Sequence, residues 1–501
     1  MYDLLANLGQ GFLVAVSPTN LWLCLVGALA GTLIGVLPGL GPVATIAMLL
    51  PVTFGLDPAG GLIMLAGIYY GAQYGGSTTA ILLNVPGEAA SVVSALDGHQ
   101  MARQGRAGVA LAIAAIGSFI AGTFATLLVA ALGMPLAQFT QLFAPADYFS
   151  LMILGLICAV VLSGGSLPKA FVMIALGLVL STVGSDSETL EQRLTFRLPE
   201  LFDGIEFVAL AMGLFGLAEI LRNLEGTTAR QIVNQKINRL MPNRAEMAEA
   251  GPAIGRGTLL GSLLGVLPGG GAVLSSFASY TLEKRLSKTP QAFGKGAIAG
   301  LAGPESANNA ASQTSFIPLL TMGIPSNAVM ALMVGALTIH GIVPGPQFIN
   351  THSDLFWGVI VSMWIGNILL LIINLPLIGV WVQLLRVPYK FMFPAIVLLC
   401  CIGIYTVANS PFDVMMTAIF TLLGYVLMKF GYEAAPLLLA FVLGPLLEQY
   451  LRRTLQISAG DPSVFFTRPI SASILCLCLL LVVIAVLPMI GRRRAEVFVE
   501  D

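Results

Sequence analysis

Short phrases rich in Gly, Pro, Ser, Thr, Asn and Glu interrupt the apolar sequence of this chain, and these are the residues whose types and spacing lend themselves to chemistry. In the first half they are Gly35-Val36-Leu37-Pro38-Gly39-Leu40-Gly41-Pro42, Gly75-Gly76-Ser77-Thr78-Thr79 and Asn84-Val85-Pro86-Gly87-Glu88. In the second half they are Leu267-Pro268-Gly269-Gly270-Gly271, Gly303-Pro304-Glu305-Ser306-Ala307-Asn308-Asn309 and Gly323-Ile324-Pro325-Ser326-Asn327-Ala328. The chemistry they suit is joint binding of an anion and a small cation. A helix that restarts after Pro-Gly presents unpaired N–H groups and the positive end of its dipole, which holds a carboxylate without a buried arginine. Gly39, Gly41, Pro86, Gly87, Gly269, Gly270, Gly271, Pro325, Ser326 and Asn327 are the candidates for that contact. Carbonyls released where a helix stops, with hydroxyl and amide oxygens beside them, suit Na+. Ser77, Thr78, Thr79, Glu88, Glu305, Ser306, Asn308 and Asn309 are the candidates for a coupling cation, H+ or Na+, and no other cofactor or metal is expected. An acid in apolar surroundings is costly to ionise alone. Glu88 and Glu305 therefore read either as carriers of that cation or as residues favouring a helix start after Pro.

The elements that must position these residues announce themselves by a repeat. Residues 31–42, GTLIGVLPGLGP, and 261–272, GSLLGVLPGGGA, share eight of twelve positions at an offset of 230. Leu-Pro-Gly-x-Gly cannot continue a helix, because Pro lacks a donor and Gly frees the backbone. At membrane depth such a break is tolerated only inside protein or beside water, and a related pair of breaks in two halves of a chain marks a transporter's binding site. Uninterrupted apolar segments long enough to cross a bilayer lie at 107–133, 147–163, 168–184, 205–221, 355–384, 391–408, 412–430, 433–449 and 471–490. Segments 20–55, 61–97, 253–282 and 296–342 are apolar but broken, the second by YGGST and VPGEA and the fourth by GPESANN and GIPSN.

Lys and Arg placement sets orientation. Loop 222–256 with its six basic residues goes to the cytoplasm, together with Arg103, Arg106, Lys169, the Lys284-Arg285 group, Arg386, Lys390, Lys429 and Arg492-Arg493-Arg494. The acid-rich loop 185–204 goes outside. Loop 450–470 is discordant: it falls outside yet carries Arg452, Arg453 and Arg468. The expected fold is an all-α polytopic membrane protein with about eleven full crossings and two inverted-topology repeats containing re-entrant hairpins and broken helices. Its divisions are an external N-terminus (1–19), a first inverted repeat (20–221), a cytoplasmic linker (222–252), a second inverted repeat (253–449), and an external loop, last transmembrane helix and basic cytoplasmic tail (450–501).

Composition narrows the function classes. The chain has 501 residues, 57% hydrophobic and 10% charged, against roughly 25% charged in soluble domains. Net charge is −1, which gives no electrostatic basis for binding nucleic acid. The six cysteines lie in apolar stretches without CxxC spacing, and the three histidines are scattered and expected in loops. The N-terminal MYDLLANLGQ has no basic residue ahead of its apolar run, unlike a cleaved leader. No HExxH, GxSxG or aspartate pair is present, so an intramembrane enzyme is not expected.

YGGSTTAILLNVPGEAASVVSALDGHQMARQGRAG (74–108) resembles the first signature of the large permease of tripartite tricarboxylate transporters, the TctA-type family. GVLPGGGAVLSSFASYTLEKRLSK (265–288) and FGKGAIAGLAGPESANNAASQTSFIPLLTMGIPSNAVMALMVGAL (293–337) resemble its second half, with GIPSN departing where a second Gly is common. The resemblance implies a multi-pass secondary carrier in the bacterial inner membrane, driven by a proton or sodium gradient. It also implies carboxylate substrates of the tri- and dicarboxylate type and two partners: a periplasmic solute-binding protein and a small membrane subunit of about four helices. Read from the residues alone, a carrier or ion channel that works without a binding protein is the alternative.

Overall fold

Proline and a short polar residue open helix after helix in this chain. Ser17 and Asp57 each cap a helix whose first residue is Pro, accepting from Asn20 N at 3.3 Å and Ala59 N at 3.2 Å. Pro at this position gives up no hydrogen bond and presets φ. The computed structural model describes residues 2–37, 41–85, 87–162, 166–186, 188–225, 239–267, 271–384 and 389–486.

The first half runs α1 (Tyr2–Ala15), α2 (Pro18–Gly35), α3 (Pro42–Phe54), α4 (Pro58–Leu83), α5 (Val92–Met101), α6 (Ala107–Thr140), α7 (Pro145–Leu162) and α8 (Leu167–Ser181). A small antiparallel hairpin follows, β1 (Gly184–Ser185) against β2 (Gln192–Arg193), and then α9 (Phe207–Ala211) continues through a π turn into α10 (Ala218–Glu225). The second half runs α11 (Arg244–Gly265), α12 (Gly271–Leu286), α13 (Ile298–Thr314), α14 (Phe316–Met322), α15 (Ala328–Ile339), α16 (Phe348–Thr351), α17 (Ser353–Asn374) and α18 (Ile378–Leu384). It closes with α19 (Tyr389–Ala408), α20 (Pro411–Lys429), α21 (Ala434–Ile457), α22 (Val464–Thr467) and α23 (Pro469–Val486). Among the described residues, seven helices are long and apolar enough to cross a membrane, and six shorter apolar helices of 10–17 residues accompany them. The protein is thus an all-α membrane protein by composition and element length.

Two expected helix breaks are absent. Gly75-Gly76-Ser77-Thr78-Thr79 lies within α4, and Gly303-Pro304-Glu305-Ser306-Ala307-Asn308-Asn309 lies within α13. The hydroxyls of these runs bond back into their own helices, Thr78 to Tyr74 O at 3.2 Å, Thr79 to Gly76 O at 2.9 Å and Ser306 to Ala302 O at 2.8 Å, which keeps the interior helical. Their glycines serve packing instead. A Cβ at Gly75 would meet Thr32 O and Val36 N of the α2 strand of chain, and one at Gly303 would meet the Glu283 side chain of α12. One uninterrupted segment is broken: 355–384 divides at Asn374 into α17 and α18. His99, expected in a loop, lies in α5 with Nδ1 3.0 Å from Ile81 O.

The same packing device occurs in both halves. A side chain at Gly27, Gly31 or Gly35 of α2 would overlap the carbonyl oxygens of Met64, Ile68 and Ala72 of α4. A side chain at Gly257, Gly261 or Gly265 of α11 would overlap those of Gly303, Ala307 and Ala311 of α13. The second trio follows the first by 230 residues, the offset of the LPGxG phrases. Small residues at four-residue spacing let two helix backbones touch, which is how helices associate where lipid tails are as apolar as side chains.

Candidate functional site

Each half stops a long helix by sending one residue into the left-handed region. Asn84 (φ 57) ends α4, and Gly323 (φ 73) ends the α13–α14 run. Chain leaving these points cannot continue the helix axis, so polar backbone is released inside the protein. After the second break Asn327 caps α15, its side chain accepting from Met330 N at 2.9 Å. The restart after each LPGxG phrase lies against the matching break. Gly41, the N-cap of α3, faces Gly87 O, 3.9 Å from where a Cβ would sit. Gly271 (φ +48) opens α12 with Asn327 Cβ 3.6 Å from the same point. Gly87 itself is pressed against Gly76 and Gly35 O, so a side chain there has no room. Pro325 and Ser326 are buried, the latter with Oγ 3.5 Å from Ser315 O. Gly39, Pro86, Gly269 and Gly270 lie outside the described residues.

The two halves exchange hydrogen bonds at their acids. Ser77 of α4 donates to Glu305 Oε2 of α13 at 2.8 Å, and Asn308 of α13 donates from Nδ2 to Glu88 Oε1 beyond the first break at 2.9 Å. Gln73 Nε2 donates to Ser312 Oγ across the same seam. Glu305 sits mid-helix, which removes the helix-start reading for it. Glu88 does occupy the N-cap of the short turn Ala89–Ser91, its N–H 3.3 Å from Ser91 Oγ, so that reading survives for Glu88 beside its bond to Asn308. Asn309 donates to Ser118 Oγ of α6 at 2.7 Å. Thr79 faces Gly87, and Ser306 faces Gly117 of α6, so neither reaches the Glu305 carboxylate.

A small cavity of ≈ 10 Å³, counted as room for the centre of a water-sized sphere, opens beside Glu305. Ser77, Thr78, Tyr74, Ser118 and Asn374 help to line it. Ser118, Asn367 and Asn374 were not singled out from sequence. Asn367 and Asn374 stand seven residues apart on one face of an otherwise apolar span, a signal that was there to be used. Asn367 accepts from Tyr74 OH at 3.1 Å. Asp97 was missed as well: its carboxylate accepts from Gly296 N and Ala297 N, both at 2.8 Å, and so fixes the start of α13 from the first half. Pairing of these buried polar groups is incomplete: Gln73 Oε1, Asp97 Oδ2, Glu305 Oε1, Asn308 Oδ1 and Asn374 Oδ1 have no hydrogen-bond partner among the described residues.

Charged residues pair in two sets, which the basic-loop rule assigns to opposite faces. On one face Arg452 bridges Asp186, Glu448 and Glu188, Arg193 bridges Asp186 and Glu448, and Arg468 meets Asp147 at 3.0 Å. The N–H groups of Thr189 and Glu188, then Arg452 and Arg193, hold the Asp186 carboxyl well below the usual range. On the other face Glu246 meets Arg106 and Arg239, Glu283 meets Arg256, and Glu225 meets Lys429. The Glu246 carboxyl is held low, first by Asn243 N–H and then by Arg106 and Arg239. A cavity of ≈ 620 Å³ opens on this second face, lined by Arg106, Arg256 and Lys295 and by Glu246, Glu249 and Glu283. Its charges balance, so it has no net preference for anions.

Membrane-length helices around a buried polar seam define a polytopic helical membrane protein. The chain belongs to the tripartite tricarboxylate transporter TctA family, whose family model matches residues 21–439. It is 57% identical over 502 residues to an Agrobacterium vitis protein described as an uncharacterized 52.8 kDa protein in the TAR-I ttuC' 3' region, with 100% of both chains covered. It is 63% identical over 241 residues to an uncharacterized protein in the TAR-II ttuC' 3' region of Agrobacterium vitis, covering 48% of this chain and 100% of that one. No solved structure matches.

Proposed function

We propose that this chain is the large membrane subunit of a secondary transporter that imports carboxylates of the tri- or dicarboxylate type by cation-coupled alternating access. The observation that carries the reading is the reciprocal bonding of Ser77 to Glu305 and Asn308 to Glu88, which gathers both acids and the first break at one seam between the halves. A multiply charged anion entering such a site needs compensating charge, because unpaired buried charge is very costly. A cation taken up at the acids supplies it and ties the two movements together. The substrate carboxylates go to the helix restarts at Gly41, Gly271 and Asn327, because the start of a helix offers N–H donors and the positive end of its dipole. The two halves are inverted repeats, and the hairpins α2–α3 and α11–α12 move with the broken helices against the remaining spans. A periplasmic binding protein and a small membrane subunit of about four helices are the partners, as family membership implies.

Uptake of labelled carboxylates into cells lacking their own carriers tests this, with the chain expressed alone and with the binding-protein and small-subunit genes. The expected result is accumulation that needs all three components and collapses with an ionophore. Full accumulation by the chain alone would make it a lone carrier, and downhill flux insensitive to any cation gradient would make it a channel.

A further inference from the structure

The cavity beside Glu305 has an unusual chemical balance. Two oxygens on its lining residues, Glu305 Oε1 and Asn374 Oδ1, accept no hydrogen bond among the described residues, although their residues are only 1% and 5% exposed. The Ser94 hydroxyl lies beside the carboxylate. The orientation of the Asn374 amide is set by its own helix: Nδ2 donates to Leu370 O at 2.9 Å, which turns Oδ1 away from that carbonyl. Ser118 Oγ already accepts from Asn309 and keeps a lone pair, and Thr78 contributes a hydroxyl oxygen whose proton is committed to Tyr74 O. Among the described residues, no Lys, Arg or His lines the cavity.

Three occupants are physically distinct. A proton removes the charge of Glu305 but leaves the void. A water molecule fills a void of roughly 10–15 Å³ but leaves the charge. A small monovalent cation does both, and it satisfies the two oxygens that accept no hydrogen bond among the described residues. We propose that this cavity is a sodium site, held by Glu305 and Asn374 with hydroxyl oxygens of Ser77, Thr78 and Ser118. Its ligands come from α4, α6, α13 and α17, so occupancy ties four helices of both halves together. The inference deepens the cation coupling proposed above, and it names an ion and two ligands, Ser118 and Asn374, that the sequence phrases did not contain.

The test uses the purified full-length chain in detergent, with NaCl exchanged for KCl or choline chloride at constant ionic strength. Thermal unfolding midpoint and 22Na+ binding are read without any transported substrate. Sodium should raise the midpoint by several degrees where potassium and choline do not, with binding near one ion per chain. Asn374→Ala and the shape-conserving Thr78→Val should each weaken apparent sodium affinity at least tenfold, and Glu305→Gln should abolish the response, while all elute as folded monodisperse protein. Two variants in different helices guard against a single misfolded one. A wild-type midpoint that follows pH but not sodium assigns the site to a proton and overturns the proposal. Sodium binding that persists unchanged in Asn374→Ala and Thr78→Val puts the ion elsewhere and overturns it too. A chain that binds sodium here yet carries no carboxylate keeps this inference and overturns the transport reading, so the two failures are separable.

Discussion

Asp186 and Glu305 show how differently one carboxylate can be used at two places in a chain. Asp186 lies in the 184–204 loop, where two backbone N–H groups and then two arginines favour its charged form. A carboxyl lowered in the folded state contributes stability that is fully present above its unfolded value of 3.8 and is lost as pH falls through the folded value. Pepsin cleavage within 184–204 should therefore stay slow at pH 5 and accelerate steadily below about pH 4, and Asp186→Asn should show the fast rate at pH 5 already. Glu305 has hydroxyl donors and no basic partner among the described residues. Glu305→Gln keeps a side chain of the same shape but removes the charge, and a hydrogen bond to a charged group is worth ~1.5–3 kcal/mol. Gradient-driven accumulation should fall at least about tenfold, the equivalent of ~1.4 kcal/mol, with the protein still inserted. Accumulation with unchanged sodium and pH dependence would remove Glu305 from coupling. The sequence pointed to Glu305 through its polar neighbours. It did not single out Asn374: with Asn367 that residue marks one face of an apolar span, but what it faces becomes visible only once α17 is packed beside α4.

At the scale of elements, glycine spacing divides into positions that matter and positions that do not, sometimes within one helix. Gly257, Gly261 and Gly265 of α11 have backbone of α13 where a side chain would go, whereas Gly251 and Gly255 of the same helix have nothing within 4 Å. Gly261→Ala should lower the thermal midpoint, in line with overpacking costs of ~1–3 kcal/mol. Gly255→Ala should be neutral or raise it, since Ala favours a helix over Gly by about 1 kcal/mol. Equal midpoints for the two variants would show that α11 and α13 do not pack backbone to backbone. The same distinction explains what was legible beforehand. VPGEA and GIPSN were read correctly as breaks: Asn84 just before the first phrase and Gly323 within the second leave the helical region, each two residues ahead of a Pro. YGGST and GPESANN were misread, because a glycine needed for close packing and a glycine needed for a turn look identical without the neighbouring helix. Of the nine uninterrupted apolar segments, 107–133, 205–221, 355–384, 412–430, 433–449 and 471–490 fall on helices of membrane-spanning length, whereas 147–163, 168–184 and 391–408 fall on shorter apolar helices, so seven membrane-length helices stand among the described residues where about eleven crossings were expected.

For the whole molecule, the ion pairs sort the chain into two ends. Every salt bridge among the described residues joins two positions that the basic-loop rule puts on one face. The inverted relation of the halves has a direct check: single cysteines at 57–60 and at 286–290 should react with an impermeant thiol reagent from opposite sides of sealed vesicles. Labelling from the same side would reject it. The pairing also bears on the discordant segment 450–470, whose first part is not the expected loop because α21 runs on to Ile457: its Arg452 and Arg468 are met by Asp186, Glu188, Glu448 and Asp147. This has a consequence for biosynthesis. Positive residues resist export across a bilayer. Asp147 and Asp186 leave the ribosome some three hundred residues ahead of Arg468 and Arg452, at sequence separations of 321 and 266. With those loops outward, the acids already wait on the far side when each arginine arrives, and its translocation ends in a neutral pair. A chain carrying both Asp147→Asn and Asp186→Asn should then insert a fraction of its last span backwards, and a reporter fused after residue 501 would read that fraction as signal on the wrong side of the membrane.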